Sequence, residues 1–342
     1  MATASERVLS VVVVNWNTQD LLRECLHSVR THLPGASCET IVVDNASTDG
    51  SVEMVAREFP EVRLICNDQN LGFGRANNMG MAAARGHHFL LLNSDARLED
   101  GRILGLLERF RDPRVGILGP RLRYPDGRPQ PSAFRFTTVP RLAFEELGLY
   151  KLMGRARRAH VLLGGYWDHG REREVDWLKG ACLLVRREVF EATGGFDPAI
   201  FLYGEEEEWS HRVKAAGWSL VYTPAAEVVH LGHGSQRHLS ESSRFRRCLG
   251  SADRLLALRG GGPARLAGSV LRMAGASLKL VRFSLHRLLG RDTSYAREVR
   301  WRAWVVFGHY LRSPLRRRND NAPPEAPAAL RAAPAVPQLK RG

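Results

Sequence analysis

Leu9-Ser-Val-Val-Val-Val-Asn-Trp-Asn17 is a nearly unbroken apolar run that ends in a polar turn. A strand covered on both faces needs such a run, and parallel strands between layers of helices are covered that way. The next stretch changes period. Leu21, Leu22, Cys25, Leu26 and Val29 share one helical face, and Pro34-Gly35 stops it. Thr40–Val43 reads as a second strand, and Ser47-Thr48-Asp49 caps a helix carrying Val52, Val55 and Ala56 on one side. A third strand over Val62–Cys66, a helix from near Gly74 and a fourth strand over Phe89–Leu92 continue the series. Strand–helix alternation at this spacing predicts an α/β fold around an open, mainly parallel sheet flanked by helices.

Ligands of such sheets bind at the carboxyl ends of the strands. Those ends carry Asn15-Trp16-Asn17, Asp44-Asn45, Asn67 to Asn70, and Asn93-Ser94-Asp95. Asn and Asp also favour turns, so any single cluster says little. Four successive strand ends with one chemistry point to a polar ligand laid across the sheet.

The rest of the chain is less regular. Residues 121–175, rich in Pro, Arg and Gly, receive no assignment. Order returns at Val175-Asp176-Trp177, with a strand over Cys182–Val185 and a helix from Arg187 to the Gly194-Gly195 stop. Glu205–Ala216 reads as a helix, and Ser219–Tyr222 and Val228–His230 as short strands. The divisions expected are a tail over 1–7, a catalytic domain over 8–237, a basic amphipathic helical extension over 238–312, and a disordered Pro/Ala-rich tail over 313–342.

Composition narrows the classes. The formal charge of +14 is concentrated late: residues 241–312 hold fifteen Lys or Arg against four Asp or Glu. That suits an anionic membrane surface or nucleic acid. No recognisable nucleic-acid motif accompanies it, so no nucleic-acid partner is expected. Five scattered cysteines without metal spacing read as free thiols of a reducing cytoplasm. Neither a signal peptide nor an apolar run of spanning length is present. Gly72-Phe73-Gly74 is a lone G-x-G, and neither a Walker A sequence nor G-x-S-x-G occurs, which disfavours dinucleotide, NTPase and serine-hydrolase chemistry.

Three places could do chemistry. Asp95 is placed to hold a hard cation on a diphosphate, which needs only one or two protein carboxylates; it could equally cap a turn. Glu205-Glu206-Glu207-Glu208 suits a helix N-terminus, and Glu208 can pair with Arg212 at i+4. Four consecutive helical residues nevertheless sweep round the axis, so at least one faces the protein and could act as a base. His230 ends an apolar strand, where a hydrogen-bonded core histidine is the ordinary occupant.

Taken together, the motifs over about residues 8–237 resemble family 2 glycosyltransferases, the inverting group with the A-type nucleotide-sugar fold. They look most like bacterial rhamnosyltransferase-like members that build cell-surface polysaccharide. The motifs are Val11–Asn17, Val42-Val-Asp-Asn-Ala-Ser47, Asn70-Leu-Gly-Phe-Gly-Arg-Ala-Asn-Asn-Met-Gly80, Leu92-Asn-Ser-Asp-Ala96, Trp177-Leu-Lys-Gly-Ala-Cys182, Gly194-Gly-Phe-Asp197 and Phe201-Leu-Tyr-Gly-Glu-Glu206. The resemblance implies a donor site of Asn15, Asn17, Asp44, Asn45, Asn70, Gly72, Asn78 and Asp95. It implies a divalent metal, Mg²⁺ or Mn²⁺, on Asp95 and His230, with Asn93 standing where the family's D-x-D motif has its first Asp. Glu205 and Glu206 fall on the family's Glu-Asp pair, which makes Glu206 the expected base. Trp177, Gly180 and Tyr203 would line the acceptor.

The implied partners are a nucleotide-sugar donor, dTDP-rhamnose or a UDP-sugar, and a glycan or polyprenyl-linked saccharide. Arg265, Arg272 and Lys279 recur every seven residues on one helix side, with Leu266, Val270, Met273, Leu280, Val281, Leu285 and Leu288 around it. That pattern suits either peripheral docking at the inner face of the cytoplasmic membrane or a helical subdomain packed on the catalytic domain. A catalytically inactive nucleotide-sugar binder is the main alternative, motivated by Asn93 and by Glu where Asp is usual; a basic nucleic-acid-binding protein, motivated by the net charge, is the other.

Overall fold

The computed structural model describes residues 9–33, 35, 37–232 and 240–312. The expected tails at 1–7 and 313–342 lie outside them. The chain alternates as expected: β1 (Leu9–Asn15), α1 (Gln19–His32), β2 (Cys38–Asp44), α2 (Ser51–Glu58), β3 (Arg63–Cys66), α3 (Phe73–Ala83) and β4 (His88–Asn93). Then come β5 (Ala96–Leu98), α4 (Arg102–Gly105), β6 (Val115–Arg123), β7 (Pro129–Gln130), β8 (Ala133–Phe134), α5 (Val139–Glu146) and α6 (Arg155–Leu162). The series ends with β9 (Arg173–Val175), β10 (Trp177–Leu178), β11 (Cys182–Arg186), α7 (Arg187–Thr193), α8 (Glu205–Ala215), β12 (Ser219–His230), α9 (Glu241–Leu288) and α10 (Ser294–Arg312).

The main sheet runs β3-β2-β1-β4-β11-β6-β12-β5. The parallel character holds for β3-β2-β1-β4 and for β6-β12, while β11 enters antiparallel to both β4 and β6. Both faces of β1 are covered, as its apolar run requires. Val11 and Val13 pack with α1 and α2 through Leu22, Leu26 and Met54. Val12 packs on the other face with Ala76 and Met81 of α3, in the cluster that also holds Trp209 of α8.

Two expectations are refined. The short strands at 219–222 and 228–230 form one strand, β12, interrupted by an irregularity between Thr223 and Glu227. Residues 121–175 form the end of β6, the small pieces β7 to β9, α5 and α6. Strands of two or three residues leave too little periodic signal to read, and here β7 and β9 are held by pairing to β6 and β12.

The C-terminal extension is helical, with a break at Gly260-Gly261 in α9. Its first half packs on the catalytic domain. Leu255 and Leu256 are buried, Arg254 pairs with Asp197 at 3.0 Å, and Arg259 pairs with Glu207 at 2.8 Å. The seven-residue basic stripe divides in a way that corrects its reading as a solvated face. Arg265 is exposed, but Arg272 is buried against Asp253 and Tyr310, and Lys279 turns to Glu146 at 2.6 Å. Beside the exposed cations Arg265, Arg282 and Arg287, α9 exposes an apolar row: Leu266, Val270, Val281, Leu285 and Leu288.

Candidate functional site

The polar strand ends form one hydrogen-bonded floor. Asn15 is fully buried and donates from Nδ2 to Asp44 Oδ2 at 2.8 Å and to Ser47 Oγ at 3.1 Å. Asp44 Oδ1 accepts the Ser47 amide at 2.8 Å, so both its oxygens hold the loop after β2. Thr18 donates to Asn15 Oδ1 at 2.7 Å and meets Ser94 Oγ at 2.8 Å, tying the β1 end to the β4 end. Asn17 and Ala46 hold φ values of 52° and 60°, a strained region that recurs where loops are shaped for ligands.

The next loop joins this floor to the start of α8. Asn45 accepts from Asn67 at 2.9 Å and donates to Gly72 O at 3.3 Å, while Asn70 Oδ1 accepts the Gly72 amide at 2.9 Å. Gly72 has φ +85°, and a Cβ there would come within 2.5 Å of Phe201 O. The donor loop and the Phe201–Glu206 segment are therefore in backbone contact. Asn78 is used differently: its amide donates to Phe196 O at 2.8 Å and accepts from Phe196 N at 2.9 Å, clamping the Gly194–Asp197 turn.

A second set of residues lines up across the cleft. His230, last in β12, pairs in register with Ala96 of β5, which brings its Nε2 to 3.2 Å from Asp95 Oδ1. Its Nδ1 lies 2.6 Å from Gln130 Oε1, while Gln130 Nε2 donates back to His230 O at 3.3 Å. Gln130 Oε1 thus faces Nδ1, while Nε2 faces Asp95 Oδ1 and, at 3.4 Å, Asn93 Nδ2; either ring nitrogen can carry the proton, and a metal on Nε2 would need the Nδ1–H tautomer. A buried carboxylate and a buried imidazole thus converge, a pair that can share a proton or a cation, and among the described residues no cluster of three or more His, Cys, Asp or Glu completes a cage. Asp95 and His230 fit a minimal site of the kind that diphosphate oxygens and water complete. His233 lies outside the described residues.

Lys179 continues the line: its Nζ is 3.4 Å from Gln130 Oε1. Burial lowers its pKa, while Glu206 and Asp95 act in the opposite sense, which places the ammonium within the field of both carboxylates. Next in sequence, the Gly180 amide donates to Glu206 Oε1 at 3.1 Å. Asp95, His230, Gln130, Lys179, Gly180 and Glu206 therefore make one continuous polar row.

The four glutamates that open α8 divide their work. Glu208 makes two contacts of 2.7 Å to Arg212, the i+4 pair expected. Glu207 accepts from the Thr137 amide and hydroxyl and from Arg259, fixing the entry to α5 and α9. Glu205 is buried with Oε2 lacking a hydrogen-bond partner, and burial beside Glu206 raises its carboxyl well above the ordinary range. Glu206 is half-buried on the cleft side; burial raises its pKa, and the Gly180 amide and Lys179 pull it down.

Two predictions arise here. Glu205 is held protonated in the fold above the pH at which an unfolded Glu ionises, about 4.3. The unfolded chain therefore releases this proton first, and stability falls as pH rises from there toward the raised folded value. Glu205→Gln is expected to remove that slope, giving a melting temperature above wild type at pH 8 and a flatter curve from pH 5 to 8 in scanning fluorimetry. Gly180→Ala is the second. A Cβ at Gly180 would meet Glu206 Oε1 at 3.0 Å and the Phe73 ring, so the carboxylate must shift. The shift needed is a few tenths of an ångström, so steady-state turnover is expected to fall about tenfold, short of the roughly 100-fold cost of a 1 Å misplacement.

The remaining acceptor candidates are placed unevenly. Trp177 stacks on Phe134, with ring centroids 4.2 Å apart, and donates from Nε1 to Arg135 O at 3.0 Å. Its ring is thus already engaged in packing. Tyr203, at φ 68°, stands beside Glu205, Glu206 and Cys248. Sequence reasoning missed Lys179, although a lysine between Leu178 and Gly180 in an otherwise apolar motif was a visible signal. Gln130 sits in the segment that could not be assigned and carried none.

The polar floor, the carboxylate–imidazole corner and the start of α8 fall on the motifs that carried the resemblance, and the chain belongs to glycosyl transferase family 2. The family's sequence model, described as "Glycosyl transferase family 2", matches residues 10–173. The chain is 34% identical over 250 residues to an N-acetylglucosaminyl-diphospho-decaprenol L-rhamnosyltransferase of Mycobacterium tuberculosis, covering 65% of this chain and 76% of that one. In fold it is similar to a mannosyltransferase of Pyrobaculum calidifontis solved with GDP-Man and Mn²⁺, with a TM-score of 0.56 at 18% identity over 90% of this chain and 86% of that one. It is also similar to the transferase GalNAc-T7 solved with UDP, GalNAc and Mn²⁺, with a TM-score of 0.52 at 18% identity over 73% of this chain and 47% of that one.

Proposed function

We propose that the chain transfers a sugar, with inversion, from a nucleotide diphosphate donor to a hydroxyl of a polyprenyl-diphosphate-linked saccharide in cell-surface polysaccharide synthesis. dTDP-rhamnose is the first donor and UDP-hexoses the second; an N-acetylglucosaminyl acceptor follows from the name of the mycobacterial relative. The observation that carries the reading is the row from Asp95 to Glu206, which separates an anion-holding corner from a carboxylate base.

In this reading Asn15, Asp44 and Asn45 shape the nucleoside end, and Asn70 and Gly72 hold the loop over it. A Mg²⁺ or Mn²⁺ ion on Asp95 and His230 would neutralise charge on the departing diphosphate. Lys179, hydrogen-bonded to Gln130 and without an ion pair among the described residues, donates to a diphosphate oxygen. Its charge also keeps Glu206 ionised more readily than burial alone would allow. Glu206 takes the proton of the acceptor hydroxyl as that oxygen attacks from the side away from the diphosphate. The Gly180 amide fixes which Glu206 oxygen faces the acceptor.

Peripheral membrane contact belongs to the same reading. Among the described residues no helix is long and apolar enough to cross a membrane. The exposed Leu266, Val270, Val281, Leu285 and Leu288 of α9 form an apolar ridge that can lie in a bilayer interface.

The test is a panel of nucleotide sugars with Mg²⁺ or Mn²⁺, scored by thermal shift and by transfer to the N-acetylglucosaminyl-diphospho-polyprenol. One donor should stabilise the protein and yield product; a ligand at 100 times its dissociation constant adds about 2.7 kcal/mol. Stabilisation without product from any donor would favour an inactive binder.

A further inference from the structure

A cavity of about 910 Å³ lies between α5 with the turn after it and the facing sides of α9 and α10. Its volume is near the upper end of the roughly 300–1,000 Å³ of small-molecule sites. The walls are of two kinds. Phe245, Leu249, Ala276, Phe283 and Val306 supply apolar surface, while Lys151, Arg282 and Arg302 bring cations to it; Arg302 is paired with Glu298 at 2.6 Å, and the lining carboxylates Glu145 and Glu146 are held by Arg141 and Lys279. Lys151 and Arg282 are exposed and make no ion pair among the described residues, each lying only over a neighbouring aromatic ring. With both lining carboxylates paired and the Lys151 and Arg282 charges left over, this partly apolar cavity matches an amphiphile with an anionic head.

Two features connect the cavity to other parts of the protein. Cys248 lines it, one helical turn before Ser251, whose side chain lies against Gly204 at the start of α8; burial, and then the charges of Glu205 and Glu206, push its thiol up to about 11. The far end continues into a groove of about 520 Å³, walled by Val281, Leu285 and Leu289 and sharing Leu278, Arg282 and His286 with the cavity. That groove opens beside the apolar ridge of α9. Cavity and groove thus join a cationic and apolar chamber, with Cys248 in its wall, to an exposed apolar face.

We propose that this cavity binds the diphosphate and first isoprene units of the lipid-linked acceptor, with the rest of the prenyl chain leaving along the α9 groove. The inference rests on the lipid-linked acceptor of the proposed function and adds its binding site. The cations hold the diphosphate, the apolar walls hold the proximal prenyl units, and the saccharide reaches past Cys248 to Glu206.

The probe is farnesyl diphosphate, titrated into the full chain by calorimetry against inorganic diphosphate, with and without saturating nucleoside diphosphate. Binding at least tenfold tighter than that of diphosphate, and persisting with the nucleotide present, is expected. Ala252→Trp, which fills the cavity, and Arg282→Glu, a surface change that reverses charge at the rim, should each weaken it tenfold or more while leaving nucleotide affinity unchanged. Farnesyl diphosphate binding no tighter than diphosphate, competition by the nucleotide, or full affinity in both variants would overturn the assignment.

A transfer assay separates this inference from the reading beneath it. N-acetylglucosaminyl diphosphate esters carrying a farnesyl or a methyl group are compared as acceptors. A KM at least tenfold lower for the farnesyl ester supports the cavity. Equal efficiency would leave the transferase standing and overturn the cavity assignment. No transfer to either ester, with farnesyl diphosphate still bound as described, would overturn the transferase reading and leave the cavity as a prenyl-diphosphate site.

Discussion

Glu206→Gln is expected to lower turnover by about 10²–10⁴-fold, the usual contribution of a positioned general base. The amide keeps the side chain's size and an oxygen able to accept from the Gly180 amide, so the cleft should hold its shape. Donor affinity, read by thermal shift, is expected to stay within about twofold of wild type, because Glu206 stands at the opposite end of the polar row from Asp95. A loss in turnover with donor binding retained separates a base from a donor ligand. Equal losses for Glu205→Gln and Glu206→Gln would instead mean that the pair acts as one unit.

Asp95→Asn should produce the complementary pattern. The substitution removes the carboxylate that meets His230 Nε2 at 3.2 Å but keeps the main-chain carbonyl that accepts the Leu231 amide at 3.0 Å. The fold is therefore expected to survive. Metal-dependent stabilisation by the donor should disappear, and turnover should fall by about 100-fold or more, since a bound cation contributes several kcal/mol to stabilising transition-state charge. Raising the metal concentration should recover part of that loss in Asp95→Asn and none in Glu206→Gln. Metal titrations of both variants, read as initial rates, separate the two roles.

The parts of this protein that could be read from sequence are those in which neighbours along the chain decide structure. Leu9–Asn15 is apolar on both faces because both faces are buried, and Gln19–His32 carries its buried residues on one helical side. The polar floor can be read for the same reason: Asn15 and Asp44 end their strands, and Asn17, Asn45 and Asn70 lie in the turns that follow β1, β2 and β3. The meeting of Asp95 with His230 was not, because it depends on antiparallel pairing of strands more than a hundred residues apart. Only the family resemblance had joined them. Gln130 stayed hidden because β7 is two residues long and is defined by its neighbour β6.

The α9 stripe shows a different limit. Periodicity placed Arg265, Arg272 and Lys279 on one side of a helix but could not say which side faces inward. The buried Asp253 and the half-buried Glu146 decide that, drawing Arg272 and Lys279 toward the protein. A buried charge is tolerated when it is paired and hydrogen-bonded, as Arg272 is by Asp253 and Tyr310. The apolar side is then left to face outward, a conclusion that composition alone would have reversed.

The central claim is that Glu206 acts on the acceptor from across the anomeric carbon, opposite a diphosphate held at Asp95 and Lys179. It is tested most directly by the anomeric configuration of the product made from a donor of known configuration, read from one-bond carbon–proton coupling by NMR. A product of opposite configuration to the donor, formed by wild type and lost in Glu206→Gln, is the result expected. A product that retains the donor's configuration, or that Glu206→Gln makes at the wild-type rate, would contradict it.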